Sequence, residues 1–166
     1  MDEKTACMDC GGPVEGWMLR YGGGGYYVCH ICDRKRQEHY CRCVMGDLTK
    51  NFSRWEFACN CGCGFDRIDM ELVENLQSIR DQFTMPIHVS SGCRCAEYNN
   101  SIGSKPTSQH VLGKAADIWI ADVRPIYIAR RAVKLACFKY GGIGVYDTFV
   151  HLDVRGKTAR WGRKWR

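Results

Sequence analysis

Apolar side chains recur at helical spacing between residues 68 and 83, beside a polar cap residue. The recurring positions are Ile68, Leu72, Val73, Leu76, Ile79 and Phe83. Asp69 is a good amino-terminal cap because its carboxylate can accept a hydrogen bond from a free backbone N–H of the first turn. Pro86 cannot continue a helix. The pattern therefore predicts an amphipathic helix over residues 69–83.

Shorter patterns follow this helix. Strands are expected at residues 87–91, 115–120, 144–146 and 149–154, and a short helical turn at residues 96–101. Asp122 and Pro125 are expected to open a second long helix, with Ile126, Ala129, Val133 and Ala136 on one face and Gly141 just past its end. The elements indicate an α+β fold in which a small antiparallel sheet is covered by helices.

The amino-terminal segment has a different character. Residues 1–44 hold six of the twelve cysteines and no helical period, so the segment cannot bury enough apolar surface to fold without a metal. Two Cys-x-x-Cys pairs have the spacing of a four-sulfur zinc site, and Tyr26–Val28 is expected to form a short strand. We predict a zinc-ribbon-like module over residues 1–44, a second domain over residues 45–166, and a structural Zn²⁺ bound by Cys7, Cys10, Cys29 and Cys32.

The net charge of +6 is concentrated near the carboxyl end. The basic residues there are Arg155, Lys157, Arg160, Arg163, Lys164 and Arg166, interleaved with Trp161 and Trp165. Such a tail favours anionic surfaces, for example an anionic cell-wall polymer. The alternative is a solvated tail whose tryptophans pack on the domain.

The amino terminus lacks the apolar core of a signal peptide, and no apolar run approaches the roughly 20 residues of a membrane span. Synthesis is therefore expected to be cytoplasmic. In that reducing compartment the cysteines are expected to be thiolate ligands or free thiols.

Two histidines and one aspartate form the candidate catalytic group. His110 and Asp117 flank Gly113, where the chain must turn, and His151 lies on a predicted strand. Three nitrogen and oxygen ligands make an open zinc site that keeps one position for water and lowers the pKa of that water toward about 7. Asp153 lies two residues after His151, so strand alternation directs both side chains to the same face. The group predicts a hydrolase with one catalytic Zn²⁺.

Three motifs resemble the zinc D-alanyl-D-alanine carboxypeptidase family, in its branch of small bacterial and phage cell-wall peptidases. They are Ser91-Gly-Cys-Arg94, Ser108-x-His110-x-x-Gly113-x-Ala115-x-Asp117 and His151-x-Asp153, within a similarity that covers roughly residues 50–162. The resemblance implies a hedgehog-like fold, with zinc bound by His110, Asp117 and His151. It also implies that Arg94 binds the substrate carboxylate or stabilises the oxyanion, and that the substrate is a peptidoglycan peptide bond next to a D-amino acid.

The general base is expected to be a carboxylate. Better-known relatives carry an acidic residue three positions before the last histidine ligand, but here that position is Thr148. Asp153 is the first candidate because of strand alternation, and its alternative role is to orient a ligand. Asp147, in the turn before His151, is the second candidate.

Two other functions remain open. A nucleic-acid-binding zinc-ribbon protein would explain the amino-terminal cysteines and the basic tail, but it leaves the histidines and Asp117 unexplained, so nucleic acid is not the expected partner. The second open function is a cell-wall-binding module that keeps the peptidase fold but has no catalytic turnover. A phage-type lysin released through a membrane lesion would bring the enzyme to its substrate.

A second group of cysteines lies in the larger domain. Because the helix over residues 69–83 can return the chain toward its start, Cys59, Cys61, Cys63, Cys93 and Cys95 could meet in space. A structural metal site, a disulfide and free buried thiols are the alternatives.

Overall fold

The structure is a computed structural model that describes residues 19–21, 26–28 and 46–162. Contacts divide the chain into two units, Met1–Met45 and Gly46–Arg166. Within the first unit, β1 (Leu19–Tyr21) pairs with β2 (Tyr26–Val28) in an antiparallel hairpin, which confirms the predicted strand at residues 26–28. The four cysteines predicted to bind zinc in this unit lie outside the described residues.

The second unit has an α+β architecture, as predicted. A 3₁₀ helix spans Arg54–Phe57, and the α-helices are α1 (Met70–Phe83), α2 (Ala96–Ser101), α3 (Pro125–Ala132) and α4 (Ala136–Lys139). The strands are β3 (His88–Ser91), β4 (Ala115–Trp119), β5 (Gly142–Val145), β6 (Val150–Asp153) and β7 (Ala159–Gly162). None of the described helices is long and apolar enough to cross a membrane.

One five-stranded sheet organises this unit, in the order β3-β4-β6-β5-β7. Three neighbouring strand pairs are antiparallel, as predicted. The fourth pair, β5 and β7, is parallel, so the prediction of a purely antiparallel sheet is wrong in this respect. The strand β7 lies in the segment that the sequence assigned to a basic tail. Ala159, Arg160 and Trp161 are half-buried there, and the strand pairs with β5.

The two faces of the sheet have different roles. Alternate residues of β4 and β6, such as Ile118 and Leu152, are fully buried in one apolar core with residues of α1 and α3. Asp69 caps α1 by accepting a hydrogen bond from the N–H of Glu71, and α1 buries Leu72, Val73, Leu76 and Ile79. Each such side chain contributes roughly 1.5–3 kcal/mol of burial free energy. The opposite face carries the polar residues of the same strands.

The predicted second long helix is wrong in one respect. It is two helices, α3 and α4, separated by residues 133–135, and the chain becomes extended at Leu135. Pro125 is the first residue of α3 as expected, but Asp122 lies outside the helix with a φ of 58°, and Arg124 precedes the first turn. The apolar period runs through the break because Leu135 and Phe138 also pack on the core, so the pattern alone does not reveal it.

Candidate active site

The strand register brings the predicted metal ligands together. Asp117 of β4 is the direct cross-strand partner of His151 of β6, so both side chains point to the polar face of the sheet. His110 comes from the loop before β4 and is 2 % exposed. The facing atoms are close to one another. His151 Nδ1 lies 2.9 Å from Asp117 Oδ1, and His110 Nε2 lies 3.3 Å from the same oxygen and 3.2 Å from His151 Nδ1.

Hydrogen bonds on the far side of each imidazole decide which nitrogen is available. His110 Nδ1–H donates to the carbonyl oxygen of Gly92 at 2.6 Å, because a carbonyl can only accept. His110 Nε2 therefore presents a lone pair. On the other side of the group, His151 Nε2–H donates to Asp153 Oδ2 at 3.0 Å, which leaves His151 Nδ1 facing the group.

This donor set fits a metal cation. Two nitrogen lone pairs and a carboxylate oxygen converge. When both imidazoles are neutral, none of these three atoms carries a hydrogen that could bond to the others. Ligands bound to zinc at 2.0–2.2 Å in a tetrahedron lie roughly 3.3–3.5 Å apart, close to the separations observed here. His110, Asp117 and His151 form a candidate metal group on this geometry.

The protonation of the ligands agrees with that interpretation. Burial alone would raise the pKa of Asp117, but hydrogen bonds and charge from the two imidazoles outweigh burial and hold its pKa well below the usual range. Burial alone would lower the pKa of His151, but Asp117 and Asp153 raise it above the ordinary value. Asp117 is thus ionised, and its charge favours a cation at this position.

Comparison with protein families identifies the family of this chain. A family model described as Peptidase M15 matches residues 50–153, which is well over half of the chain. The chain belongs to the peptidase M15 family. A comparison with curated proteins gives no match. The M15 family consists of zinc peptidases, so the residues around the His110, Asp117 and His151 group can be considered as parts of a peptidase site.

Arg94 of this M15 peptidase contacts a candidate ligand directly. Its Nη2 donates to Asp117 Oδ2 at 2.6 Å and its Nε donates to Ser91 Oγ at 2.8 Å. This pairing occupies the Asp117 oxygen that does not face the histidines. Arg94 also lines the cavity beside the site, and this position is compatible with its predicted contact with substrate.

Asp153 lies behind His151, away from the metal group. Its side chain is fully buried. Oδ2 accepts from His151, Oδ1 accepts from the backbone N–H of Gly142 at 3.0 Å, and Arg155 donates to both oxygens. Burial would raise the pKa of Asp153, but His151 and Arg155 hold it well below its usual range. Strand alternation predicted the correct face, but it could not show that the imidazole separates Asp153 from the other ligands.

A cavity of about 620 Å³ opens in front of the metal group. One part of its lining is aromatic and consists of Tyr146, Phe149 and Trp161. Cationic side chains of Arg94, Lys105 and Arg155 lie in the same lining, with polar residues Ser104, Thr107, Ser108 and Gln109. The cavity therefore suits an extended polar ligand that carries negative charge.

The sequence did not identify the aromatic wall. The rings of Tyr146 and Phe149 stack with centroids 4.4 Å apart, and Trp161 Nε1–H donates to Tyr146 Oη at 3.0 Å. Arg155 lies over Trp161, 5.3 Å from Cζ to the ring centroid, while it pairs with Asp153. Arg155 lies two residues beyond the end of β6, so strand alternation gave no signal for it. Trp161 lacked a signal because its strand was assigned to the tail.

Asp147, the second candidate for the general base, lies in a turn beside the cavity. Asp147 and Thr148 are exposed in the turn between β5 and β6, whose flanking residues Tyr146 and Phe149 both line the cavity. Asp117 is the one carboxylate in that lining, within the part of the chain that the structure describes. Neither Asp147 nor Asp153 contributes to the lining.

Proposed function

We propose that this zinc peptidase hydrolyses peptide bonds next to D-amino acids in the stem peptides of peptidoglycan, with Zn²⁺ held by His110, Asp117 and His151. The observation that carries the proposal is the convergence of three ligand atoms, two of them fixed by hydrogen bonds on their far sides, at one end of a peptide-sized cavity. The resemblance of the motifs to D-alanyl-D-alanine carboxypeptidases supports the substrate class.

The charge of the cavity agrees with that substrate. Stem peptides carry free carboxylates, and carboxylates form strong charge-assisted hydrogen bonds with guanidinium and ammonium groups. Lys105 is exposed at the cavity, where its ammonium group can pair with such a carboxylate. The faces of Tyr146, Phe149 and Trp161 can cover the apolar parts of the peptide.

Bound zinc would supply a Lewis acid that polarises the scissile carbonyl and lowers the pKa of water. The chain itself fixes the geometry around that ion. Gly92 and Asp153 hold the two imidazoles in the ligating tautomers, and Arg94 fixes the orientation of the Asp117 carboxylate. Arg94 also places positive charge at the cavity, where it can offset charge that develops on the substrate oxygen.

We assign Asp153 the role of positioning His151, in place of the predicted role of general base. Both of its oxygens are engaged by His151, Gly142 and Arg155, and its side chain has no exposed surface. Asp147 is our candidate for the proton acceptor, because it lies in the turn between Tyr146 and Phe149, which both line the cavity.

Digestion of purified peptidoglycan tests the function. The zinc-loaded wild-type protein is expected to release fragments, and His151→Ala is expected to release none. His88→Ala is the matched control, because His88 is an exposed histidine that stacks on Trp119 away from the site. Fragment masses identify the bond and distinguish release of a terminal D-alanine from internal cleavage. Binding of peptidoglycan without fragments from the wild type would contradict the proposal, as would equal activity of His151→Ala.

Access to the wall belongs to the proposal as well. A lysin released through a membrane lesion would reach peptidoglycan, with the module of residues 1–44 and the basic residues of the carboxyl end as contacts for the wall and its anionic polymers. In β7 and just before it, Arg155 pairs with Asp153 and Arg160 donates to backbone carbonyls of Phe138, Lys139 and Gly141. We therefore expect Lys157 and the basic residues after Gly162 to contact anionic polymers.

A further inference from the structure

Four cysteine side chains meet at a point distinct from the active site. The sulfur atoms of Cys59, Cys61, Cys63 and Cys95 all lie within 4.8 Å of one another. Cys61 Sγ is 3.3 Å from Cys59 Sγ and 3.7 Å from Cys95 Sγ. Four thiolates bound to zinc at about 2.3 Å in a tetrahedron lie roughly 3.8 Å apart. The separations therefore match a four-sulfur site, and all four cysteines are free thiols.

The local chain is shaped to bring three of these sulfurs together. The loop is closed by two backbone hydrogen bonds, from Cys59 N–H to the oxygen of Phe65 at 2.8 Å and from Gly62 N–H to the oxygen of Cys59 at 3.1 Å. Gly62 and Gly64 have φ values of 78° and 79°, in the left-handed region that glycine adopts without strain. These two residues turn the chain so that alternate cysteines face one centre.

The fourth sulfur comes from a remote part of the chain. Cys95 is the residue before α2, and its Sγ accepts a hydrogen bond from Tyr98 N–H at 3.3 Å. The backbone N–H of Cys95 in turn donates to Cys59 Sγ at 3.3 Å. Two backbone N–H groups thus hold the sulfurs of Cys59 and Cys95 on the same side of the loop.

Two other cysteines of the same unit do not join this group. Cys93 is 1 % exposed in the apolar core, and Cys137 packs against that core. Neither sulfur lies with the four that converge, and both side chains act as small core residues. The convergence is thus specific to Cys59, Cys61, Cys63 and Cys95.

We propose that Cys59, Cys61, Cys63 and Cys95 bind a structural Zn²⁺ ion, separate from the catalytic ion. Four protein ligands leave no open coordination position, which is the arrangement of structural rather than catalytic zinc. The ion would fasten the loop of residues 59–64 to the segment of residues 92–95.

That segment supports the active site directly. Gly92 accepts the hydrogen bond that orients His110, and Arg94 pairs with Asp117. The backbone N–H of Arg94 also donates to the oxygen of His110 at 3.0 Å. The proposed ion therefore braces the backbone that holds two of the three catalytic ligands, although it takes no part in the reaction.

Thiol alkylation of the zinc-loaded, full-length wild-type protein tests the site. Cys61 and Cys63 are exposed, so iodoacetamide would modify them readily unless a metal holds their sulfurs. Peptide mass mapping is expected to show both unmodified with zinc and modified after chelation. Equal modification with and without zinc would overturn the proposal, as would a disulfide between any two of the four cysteines.

Matched variants provide a second measurement, the zinc content per chain by elemental mass spectrometry. Cys63→Ser is expected to lose one equivalent of zinc, whereas Cys63→His, which substitutes another zinc ligand, keeps it. Cys137→Ser is the control outside the group and is expected to keep the full content. A Cys63→Ser protein with undiminished zinc, or an equal loss from Cys137→Ser, would overturn the proposal. Because His110→Ala is expected to leave the cysteines protected, the result is independent of the peptidase activity.

Discussion

At the scale of single residues, the site depends on which nitrogen of each imidazole carries a proton. Gly92 and Asp153 each accept a hydrogen bond from the outer nitrogen of a histidine, so the inner nitrogens of His110 and His151 face Asp117. Such outer contacts usually control both the orientation and the basicity of metal ligands. The behaviour of Asp153 variants therefore distinguishes a positioning residue from a base.

Replacement of Asp153 by Asn is expected to weaken zinc binding at the active site about 10- to 100-fold. The neutral amide accepts a weaker hydrogen bond from His151 and leaves Arg155 without its ionic partner. Competition with a chelator of known affinity measures the effect. Asp147→Asn is the control, and its zinc affinity is expected to equal that of the wild type. A fall in turnover of Asp153→Asn at unchanged zinc affinity would restore Asp153 as the base.

The stability of the metal-depleted protein is expected to fall as pH rises above about 6.5. The folded-state pKa of His151 is raised by Asp117 and Asp153 against the effect of burial, so its contribution is complete below the unfolded pKa and is lost as pH rises through the folded pKa. Chemical denaturation between pH 6 and about pH 9 measures this dependence.

The same denaturation series on His151→Asn is the control, and the fall with pH is expected to be smaller there. Zinc should reverse the trend in the wild type, because a metal ligand must be a neutral imidazole and binding improves as the proton leaves. Identical pH profiles for the wild type and His151→Asn would contradict this account of His151.

The sequence was sufficient to select the three residues that the structure brings together as a candidate metal group, but not their surroundings. His110, Asp117 and His151 could be selected because few histidines are present and the motifs resemble a zinc peptidase family. The role of Asp153 could not be read in the same way, since alternation gives the face of a strand but not the depth of a side chain. Tyr146 and Trp161 meet only through the pairing of β5 with β7, which the sequence did not show.

At the scale of elements, β5 is built to leave room for its neighbours. Gly142 is the cross-strand partner of Asp153, and a Cβ at Gly142 would overlap the Asp153 carboxylate. Gly144 is the partner of Trp161, and a Cβ there would overlap the indole ring. The two glycines thus make space for two different parts of the site.

Gly142→Ala and Gly144→Ala form a matched pair. Each is expected to destabilise the fold by about 1–3 kcal/mol through overpacking. Only Gly142→Ala displaces Asp153, so it is expected to lower zinc affinity, whereas Gly144→Ala moves Trp161 and is expected to raise KM. Denaturation, zinc competition and steady-state kinetics on soluble peptide separate these effects. Equal zinc affinities for both variants would contradict the assigned role of Asp153.

The last strand gives a second test at this scale. A chain that ends at Thr158 lacks β7, so it loses Trp161 and the pairing with β5. We expect such a chain to lose hydrolysis and to be less stable than the full chain. A chain that ends at Gly162 keeps β7 and is the matched control, with hydrolysis of soluble peptide preserved. Full activity of the shorter chain would show that the aromatic wall is dispensable.

Element prediction succeeded where local signals and core contacts agreed. The helix α1 has both a capping aspartate and a regular apolar face, and its bounds match the prediction within one residue. The break between α3 and α4 escaped prediction because apolar residues continue through it. The strand β7 escaped because its arginine is held by backbone carbonyls that only the folded chain supplies.

At the scale of the whole molecule, one sheet connects the proposed functions. Its inner face supplies the apolar core, while its outer face presents Asp117 and His151 to a cavity of about 620 Å³. The cysteine group lies at the start of the same unit and holds the segment that carries Gly92 and Arg94. We propose that the catalytic ion, the structural ion and the cavity belong to one M15 peptidase unit, and that a second, cysteine-rich unit precedes it in the chain.

The most direct test of this account is the anomalous diffraction of crystals of the full-length protein, measured at the zinc absorption edge. The account predicts a peak within about 2.0–2.2 Å of His110 Nε2, Asp117 Oδ1 and His151 Nδ1. Crystals grown with zinc that show no anomalous peak between these three atoms would contradict the account.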